Sequence, residues 1–219
     1  MDIEKVKLYS PILHFDTNEP FYPVIVGYSI VNSMENSPSF NRKFIYFNDE
    51  LDYIIEYAIY WDYDIQHLYE MEHVWMYIAK DGSVLDCEAS SHGRYYKGLL
   101  LDRSNLEGTQ IHLFSQPGKH AFFPKVEYFD LFPNLSTCTY EEAGTMGLLI
   151  SELFTGVIRT DIETNYKVLH YLKTFRFRPS MIFKPYIIPS DHFVPWKLLK
   201  EEIPIRVATQ LAYIESKVI

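Results

Sequence analysis

Residues 71–91 constrain this chain more than any other stretch. Residues 71–79 are an apolar, aromatic run, Met-Glu-His-Val-Trp-Met-Tyr-Ile-Ala. Lys80, Asp81, Gly82 and Ser83 interrupt it, and residues 84–89 resume as Val-Leu-Asp-Cys-Glu-Ala. Asp-Gly is a favoured pair for a two-residue hairpin turn, because glycine adopts the positive φ such turns need. The stretch therefore predicts an antiparallel hairpin. With Asp81 and Gly82 at the turn, residues whose numbers sum to 163 face each other, which sets Ser91 opposite Glu72 and His92 opposite Met71.

Elsewhere the periodicity is mixed. Residues 24–31 read as a strand, among Pro11, Pro20, Pro23 and Pro38, which exclude helix interiors. Over residues 42–60, Leu51, Ile54, Ile55 and Ala58 fit a helical stripe, while Tyr53, Ile55, Tyr57 and Ile59 fit alternation on one face. The aromatic and β-branched content favours a strand over 53–61. Residues 95–101 and 110–114 add candidate strands. From about residue 140 the pattern turns helical. Thr139 is placed to cap a helix with Glu141 and Glu142 in its first turn and Met146, Leu149, Ile150 and Leu153 along one stripe. Helices are expected over 161–173 and 204–217, with the proline-punctuated residues 175–195 extended between them. The class is α+β: a mainly antiparallel β-sandwich over 1–138, with helices concentrated in 139–219 and packed on it as one compact unit.

Composition narrows the function. The 219 residues are 47% hydrophobic, enough for a sizeable core, and the 18 Tyr and 15 Phe lean toward sheet. A formal charge of −9 gains nothing from phosphate neutralisation, so nucleic acid is excluded as a partner on charge grounds. Cys87 and Cys138 allow one disulfide but no disulfide framework. The opening residues show neither a basic stretch with an apolar run nor a small-residue cleavage site, and nothing approaches the ~18 apolar residues of a membrane span. The expected location is the cytoplasm.

Chemistry concentrates just before the hairpin. Residues 62–73 hold six metal-competent side chains, Asp62, Asp64, His67, Glu70, Glu72 and His73. On a strand, Glu70 and Glu72 point to one face about 7 Å apart. A divalent cation between them removes their repulsion, whereas burying them bare is costly. His73 lies on the opposite face, and His67 joins the carboxylates only if residues 64–69 turn. Glu and His beside a strand end are also ordinary solvated loop residues, so spacing alone leaves both readings open.

The residues 66–75, Gln-His-Leu-Tyr-Glu-Met-Glu-His-Val-Trp, resemble the Gly-His-Arg-His-Asp-Trp-Glu motif and following strand of the necrosis-inducing (NPP1-like) and Vps62-like superfamily. The motif's first His falls on His67, its Asp on Glu70 and its Glu on Glu72. The aromatic strand ending in Asp64 is similar to the family's upstream strand, whose Asp is a metal ligand. Residues 9–23, Ser90-Ser91-His92-Gly93 and the segment 118–124 containing His120 also look like family segments, in the right order over about residues 9–125. Tyr69, Glu70 and Met71 depart from the motif's His, Asp and Trp. The resemblance implies a metal held by Asp64, His67, Glu70 and Glu72, with His92 and His120 near the cavity. By register, His92 stands on the wrong face unless the strand ends or bulges near Ser90.

Three carboxylates and one imidazole favour Mg²⁺, Ca²⁺ or Mn²⁺, with Zn²⁺ as the alternative. The resemblance implies a metal-centred pocket for a small polar ligand, a glycan or a phosphorylated headgroup. The alternative is a metal-dependent hydrolase in which His73, His92 or His120 moves protons. A purely structural ion is a third reading.

Overall fold

The computed structural model describes residues 3–217. In chain order these form α1 (Ile3–Leu8), β1 (Ile12–Asp16), β2 (Ile25–Val31), β3 (Leu51–Tyr63), β4 (Leu68–Ala79), β5 (Val84–Ser91), β6 (Arg94–Lys97), β7 (Leu106–Glu107), β8 (Gln110–Ser115), β9 (Phe122–Phe123), α2 (Leu135–Thr139), α3 (Ile162–Leu172), β10 (Phe183–Ile187), β11 (Phe193–Pro195) and α4 (Trp196–Lys217). One sheet runs β10-β1-β8-β7, with β9 also on β8; the other runs β11-β2-β3-β4-β5-β6. The pairings are antiparallel except β1 with β8 and β2 with β11. The architecture is thus α+β, as the sequence predicts.

The inner faces of the two sheets share one apolar core, to which Leu13, Phe15, Ile111 and Leu113 contribute from one side and Ile59, Trp61, Val74 and Met76 from the other. Trp75 and Tyr77 point the opposite way, into a second cluster closed by Phe44 from the 32–48 loop. β3 and β4 are therefore covered on both faces. That explains why residues 42–60 fit two periodicities at once: nearly every side chain from Ile54 to Asp62 is buried.

The hairpin forms, but its turn is longer than predicted. Ala79 N–H bonds the Ser83 carbonyl at 2.8 Å, closing a three-residue loop with Gly82 at φ 86°. A register shift between Tyr77 and Ile78 then returns the strands to the expected pairing, with Trp75 opposite Glu88 and Val74 opposite Ala89. The strand expected over 95–101 is cut to β6: beyond it the Gly98 and Leu99 N–H groups both bond the Cys87 carbonyl, at 2.8 and 3.3 Å, which breaks the ladder. Both cysteines are buried and free.

The helix expected after Thr139 does not exist. Thr139 ends α2 instead of capping a helix, and residues 140–151 run as turns into a short 3-10 turn, Glu152–Phe154. Gly144 and Gly147 adopt φ of 78° and 62°, which a right-handed helix cannot use. Their backbone serves another element: Gly144 and Met146 donate to the carbonyls of Ile65 and Gln66 at 2.8 and 2.9 Å, and Gly147 accepts from Leu68 at 2.8 Å. The stripe Met146, Leu149, Ile150, Leu153 reflects residues pinned to a loop, not a helical face.

The other helices follow expectation more closely. α3 starts at its capping residue, Asp161, whose carboxylate accepts from Thr164 N–H at 2.7 Å. Asp161→Ala is expected to destabilise α3 by removing this cap, read as a lower urea midpoint with unchanged slope. α4 begins eight residues before the predicted start and runs through Pro204. Leu199, Ile203, Val207 and Ile214 bury one face, and this burial outweighs the one hydrogen bond that proline removes. The extended region 175–195 contributes β10 and β11, so the chain after residue 139 adds a strand to each sheet. No helix among the described residues is long and apolar enough to cross a membrane.

Candidate metal centre

The cluster sits where β3 hands over to β4. Asp64 begins the turn: its N–H bonds the His67 carbonyl at 2.9 Å, and its carboxylate accepts from Gln66 N–H at 2.8 Å. This is the turn that His67 requires to meet the carboxylates. The turn is clasped from outside by residues 144–147, described above, and by Gly118, whose carbonyl accepts from Ile65 at 2.9 Å. Glu70 and Glu72 follow on the inner face of β4, in line with Val74 and Met76.

Asp64, His67 and Glu70 bring ligand atoms within 4.8 Å of one another, and so do Glu70, Glu72 and His92. The four residues expected from the resemblance thus fall into two triads that share Glu70, rather than one compact set. His67 Nε2 lies 3.5 Å from Asp64 and 3.4 Å from Glu70. Its Nδ1 lies 2.8 Å from the Tyr69 carbonyl, which only accepts, so Nδ1 carries a proton and the ring is fixed with Nε2 toward the carboxylates.

His92 reaches the cluster despite the register. β5 ends at Ser91, and His92 and Gly93 form the turn into β6 with φ of 50° and 77°. This reversal carries His92 round, so that its N–H bonds Glu72 at 2.9 Å and its Nδ1 lies 3.8 Å away. His120 is buried, stacked on Trp61 at 4.6 Å, with Nε2 3.4 Å from Glu19 and Nδ1 4.0 Å from Asp64 Oδ2. His73 does not join. It lies on the other face of β4, stacked on Trp75 and edge-on to Phe40, and burial pushes its imidazole down to about 4.

Two groups escaped the sequence reading. Lys119 is buried, with Nζ 2.6 Å from Asp64 Oδ1. Glu19 is buried too, accepting from Gly118 N–H at 2.7 Å. Both belong to segments similar to the family's, yet neither lies near Asp64 in sequence, and no local spacing signals their approach.

The electrostatics follow from burial. Burial raises the Asp64 carboxyl, but Lys119 and His67 outweigh it and hold the group down to about 2. Burial also opposes charge on His67, yet Asp64 and Glu70 raise the imidazole above its ordinary value. Burial raises Glu70, and its hydrogen bond to His67 brings it below the usual range. Glu72 has no such cation: burial and the Glu70 charge push it up to about 8. Asp64 Oδ2 is buried with no hydrogen-bond partner, as is His120 Nδ1. A cation among hard oxygen donors and one oriented imidazole fits these residues.

Fold and site together define a two-sheet α+β protein with an acidic cluster able to hold a metal ion. No protein-family model matches the sequence, and no curated protein is similar to it. Among solved structures it is similar to necrosis and ethylene inducing protein 2 from the causal agent of cocoa's witches' broom disease, at 17% identity over 56% of this chain and 66% of that one, with a TM-score of 0.36. It is also similar to NLPPya, solved in complex with glucosamine, at 18% identity over 57% and 68% of the two chains, with a TM-score of 0.38. These are likenesses in fold over part of each chain, and they carry nothing about ligand or activity.

Proposed function

We propose that this chain is a divalent-metal-binding module whose ion sits in the Asp64, His67 and Glu70 triad and draws in Glu72 from the second triad, which shares Glu70. The observation that carries the reading is the buried, partnerless Asp64 Oδ2 beside an imidazole whose other nitrogen is already tied to a backbone carbonyl. In the absence of metal, the His67 proton lies between Asp64 and Glu70. A divalent ion takes the place of that proton and of the one on Glu72, which it holds as a carboxylate. Glu70 is partly exposed and the His92 side chain is 39% exposed, so one side of the cluster faces solvent. On that side, ion positions left to water would receive the hydroxyl or phosphoryl oxygens of a small polar ligand, a glycan or a phosphorylated headgroup. Mg²⁺, Ca²⁺ and Mn²⁺ suit the donors best, with Zn²⁺ next.

A second reading has its own observation. The Lys119 ammonium on Asp64 makes the cluster a buried ion-pair network that needs no metal. The hydrolase reading loses one of its three candidate proton carriers, because His73 is on the wrong face to serve a metal-bound water, and keeps His92 and His120. Elemental analysis and thermal unfolding with added Mg²⁺, Ca²⁺ or Mn²⁺ separate the first two. Metal at 100 times its Kd should stabilise the wild type by about 2.7 kcal/mol, and Glu72→Gln should abolish the gain. Lys119→Met removes the ammonium from buried Asp64 and leaves it the His67 imidazole, at a cost of about 3–5 kcal/mol without metal. Recovery of that loss on adding metal supports a metal site; no recovery, with no metal effect on the wild type, supports the ion-pair network.

A further inference from the structure

A second, chemically different constellation lies on the other sheet. β1 and β8 pair in parallel, with Ile12 opposite His112 and His14 opposite Phe114, so His14 and His112 are diagonal neighbours. β7 pairs on the far side of β8, with Glu107 opposite Gln110. The three residues make a row across three adjacent strands. His14 Nε2 lies 2.8 Å from His112 Nδ1, and His112 Nε2 lies 3.2 Å from the Glu107 carboxylate. The His14 ring is held by stacking on Phe114 at 4.7 Å.

The proton positions follow. Glu107 accepts from His112 Nε2–H, so His112 Nδ1 accepts from His14 Nε2–H at 2.8 Å, and an ion between the rings would replace that proton, with His14 carrying its hydrogen on Nδ1 instead. Burial, together with His112, lowers the His14 imidazole from its ordinary value and keeps it neutral near pH 7. Two imidazoles with facing nitrogens, one ring backed by a carboxylate, match the arrangement in which a metal-bound histidine donates its far N–H to an acid.

We propose that His14 Nε2 and His112 Nδ1 bind a divalent transition-metal ion of the imidazole-preferring kind, with Glu107 as a positioning residue behind His112. Nitrogens bound at about 2.0–2.1 Å to a tetrahedral ion stand roughly 3.3 Å apart, so the rings must part by about half an ångström and turn their lone pairs onto a common point. The His112 side chain is 25% exposed, which leaves access for the ion and for the waters that complete its shell. This pair offers nitrogen donors and favours Cu²⁺ or Zn²⁺, whereas the acidic cluster offers mainly oxygen. The two sites are therefore distinguishable by spectroscopy.

The test uses the full chain with one equivalent of Cu²⁺, read by electron paramagnetic resonance and competition titration. The wild type is expected to show coupling to two imidazole nitrogens. Glu107→Gln should weaken binding ~10–100-fold while keeping both couplings. Because the Glu107 side chain is 80% exposed, that variant is expected to fold normally and remains informative if a histidine variant does not. His14→Gln and His112→Gln should each lose one coupling and bind more weakly still. Glu72→Gln should leave the spectrum unchanged, so failure of the acidic site leaves this result standing. A two-nitrogen spectrum that survives both histidine substitutions, wild-type binding weaker than millimolar, or Glu107→Gln binding as tightly as wild type would each overturn the proposal.

Discussion

Gly144→Ala is expected to destabilise the protein by about 3–5 kcal/mol, combining overpacking with a left-handed backbone that alanine resists. A Cβ at this position would lie 2.6 Å from the Leu169 carbonyl oxygen and 2.8 Å from its Cα. Both are backbone atoms of α3, so no side chain can swing away. The turn must lift off the helix or the helix must shift. Either movement pulls Gly144 N–H from the Ile65 carbonyl, and with it the turn that orients Asp64 and His67. Urea denaturation should show the loss as a lower midpoint, and metal stabilisation should fall with it. Gly156→Ala is the control, since Gly156 has φ 80° but nothing within 4 Å of a Cβ. It should cost only the backbone strain, about 1–2 kcal/mol. Equal losses in the two variants would show that the contact with α3 contributes nothing.

The second large effect is a pH profile with two opposing limbs. Glu72 is raised to about 8, from an ordinary 4.5. Its favourable contribution is full below 4.5 and lost as pH rises through 8. His73 is lowered to about 4, from an ordinary 6.5, so its contribution is full above 6.5 and lost as pH falls through 4. Between 4.5 and 6.5 the two slopes cancel. Above 6.5 only the Glu72 slope remains, reinforced by the raised His67. Metal-free protein should therefore lose about 2 kcal/mol between pH 6.5 and 8. Glu72→Gln should remove much of that slope, and a saturating divalent ion should flatten it, because the ion holds Glu72 as a carboxylate. Protons compete with metal for the same group, so affinity should rise with pH up to about 8. Denaturation in chelator at two pH values, with and without metal, reads both effects. A wild-type curve that is flat from 6.5 to 8 without metal would show that Glu72 is not held protonated.

What was legible in the chain was what local chemistry settles. Alternation and β-branched content marked the strands at 24–31 and 53–61, and the hairpin register holds from Tyr77 toward Val74. The helix expected over 161–173 forms as α3, closed at its start by Asp161, a cap that needs only its own next three residues. The spacing of Glu70 and Glu72 on one face survives for the same reason. The expected helix after Thr139 failed because Gly144 and Gly147 serve a loop some 80 residues earlier in the chain. His92 was unresolved by register because its orientation depends on where β5 ends, and the His92-Gly93 turn decides that.

By itself, then, the order of residues determined the α+β class, the strands over 24–31, 53–61 and 110–114, the hairpin and the acidic stretch around Glu70, since these follow from side-chain periodicity and short-range backbone preference. Only the tertiary structure decided what surrounds that stretch. It brought Lys119 against Asp64 across 55 positions, divided the ligand atoms into two triads, and turned His73 away into an aromatic cluster. It also set His14 beside His112, through a parallel pairing of strands almost a hundred residues apart. Charge and desolvation act through space, and distance through space is what chain folding supplies.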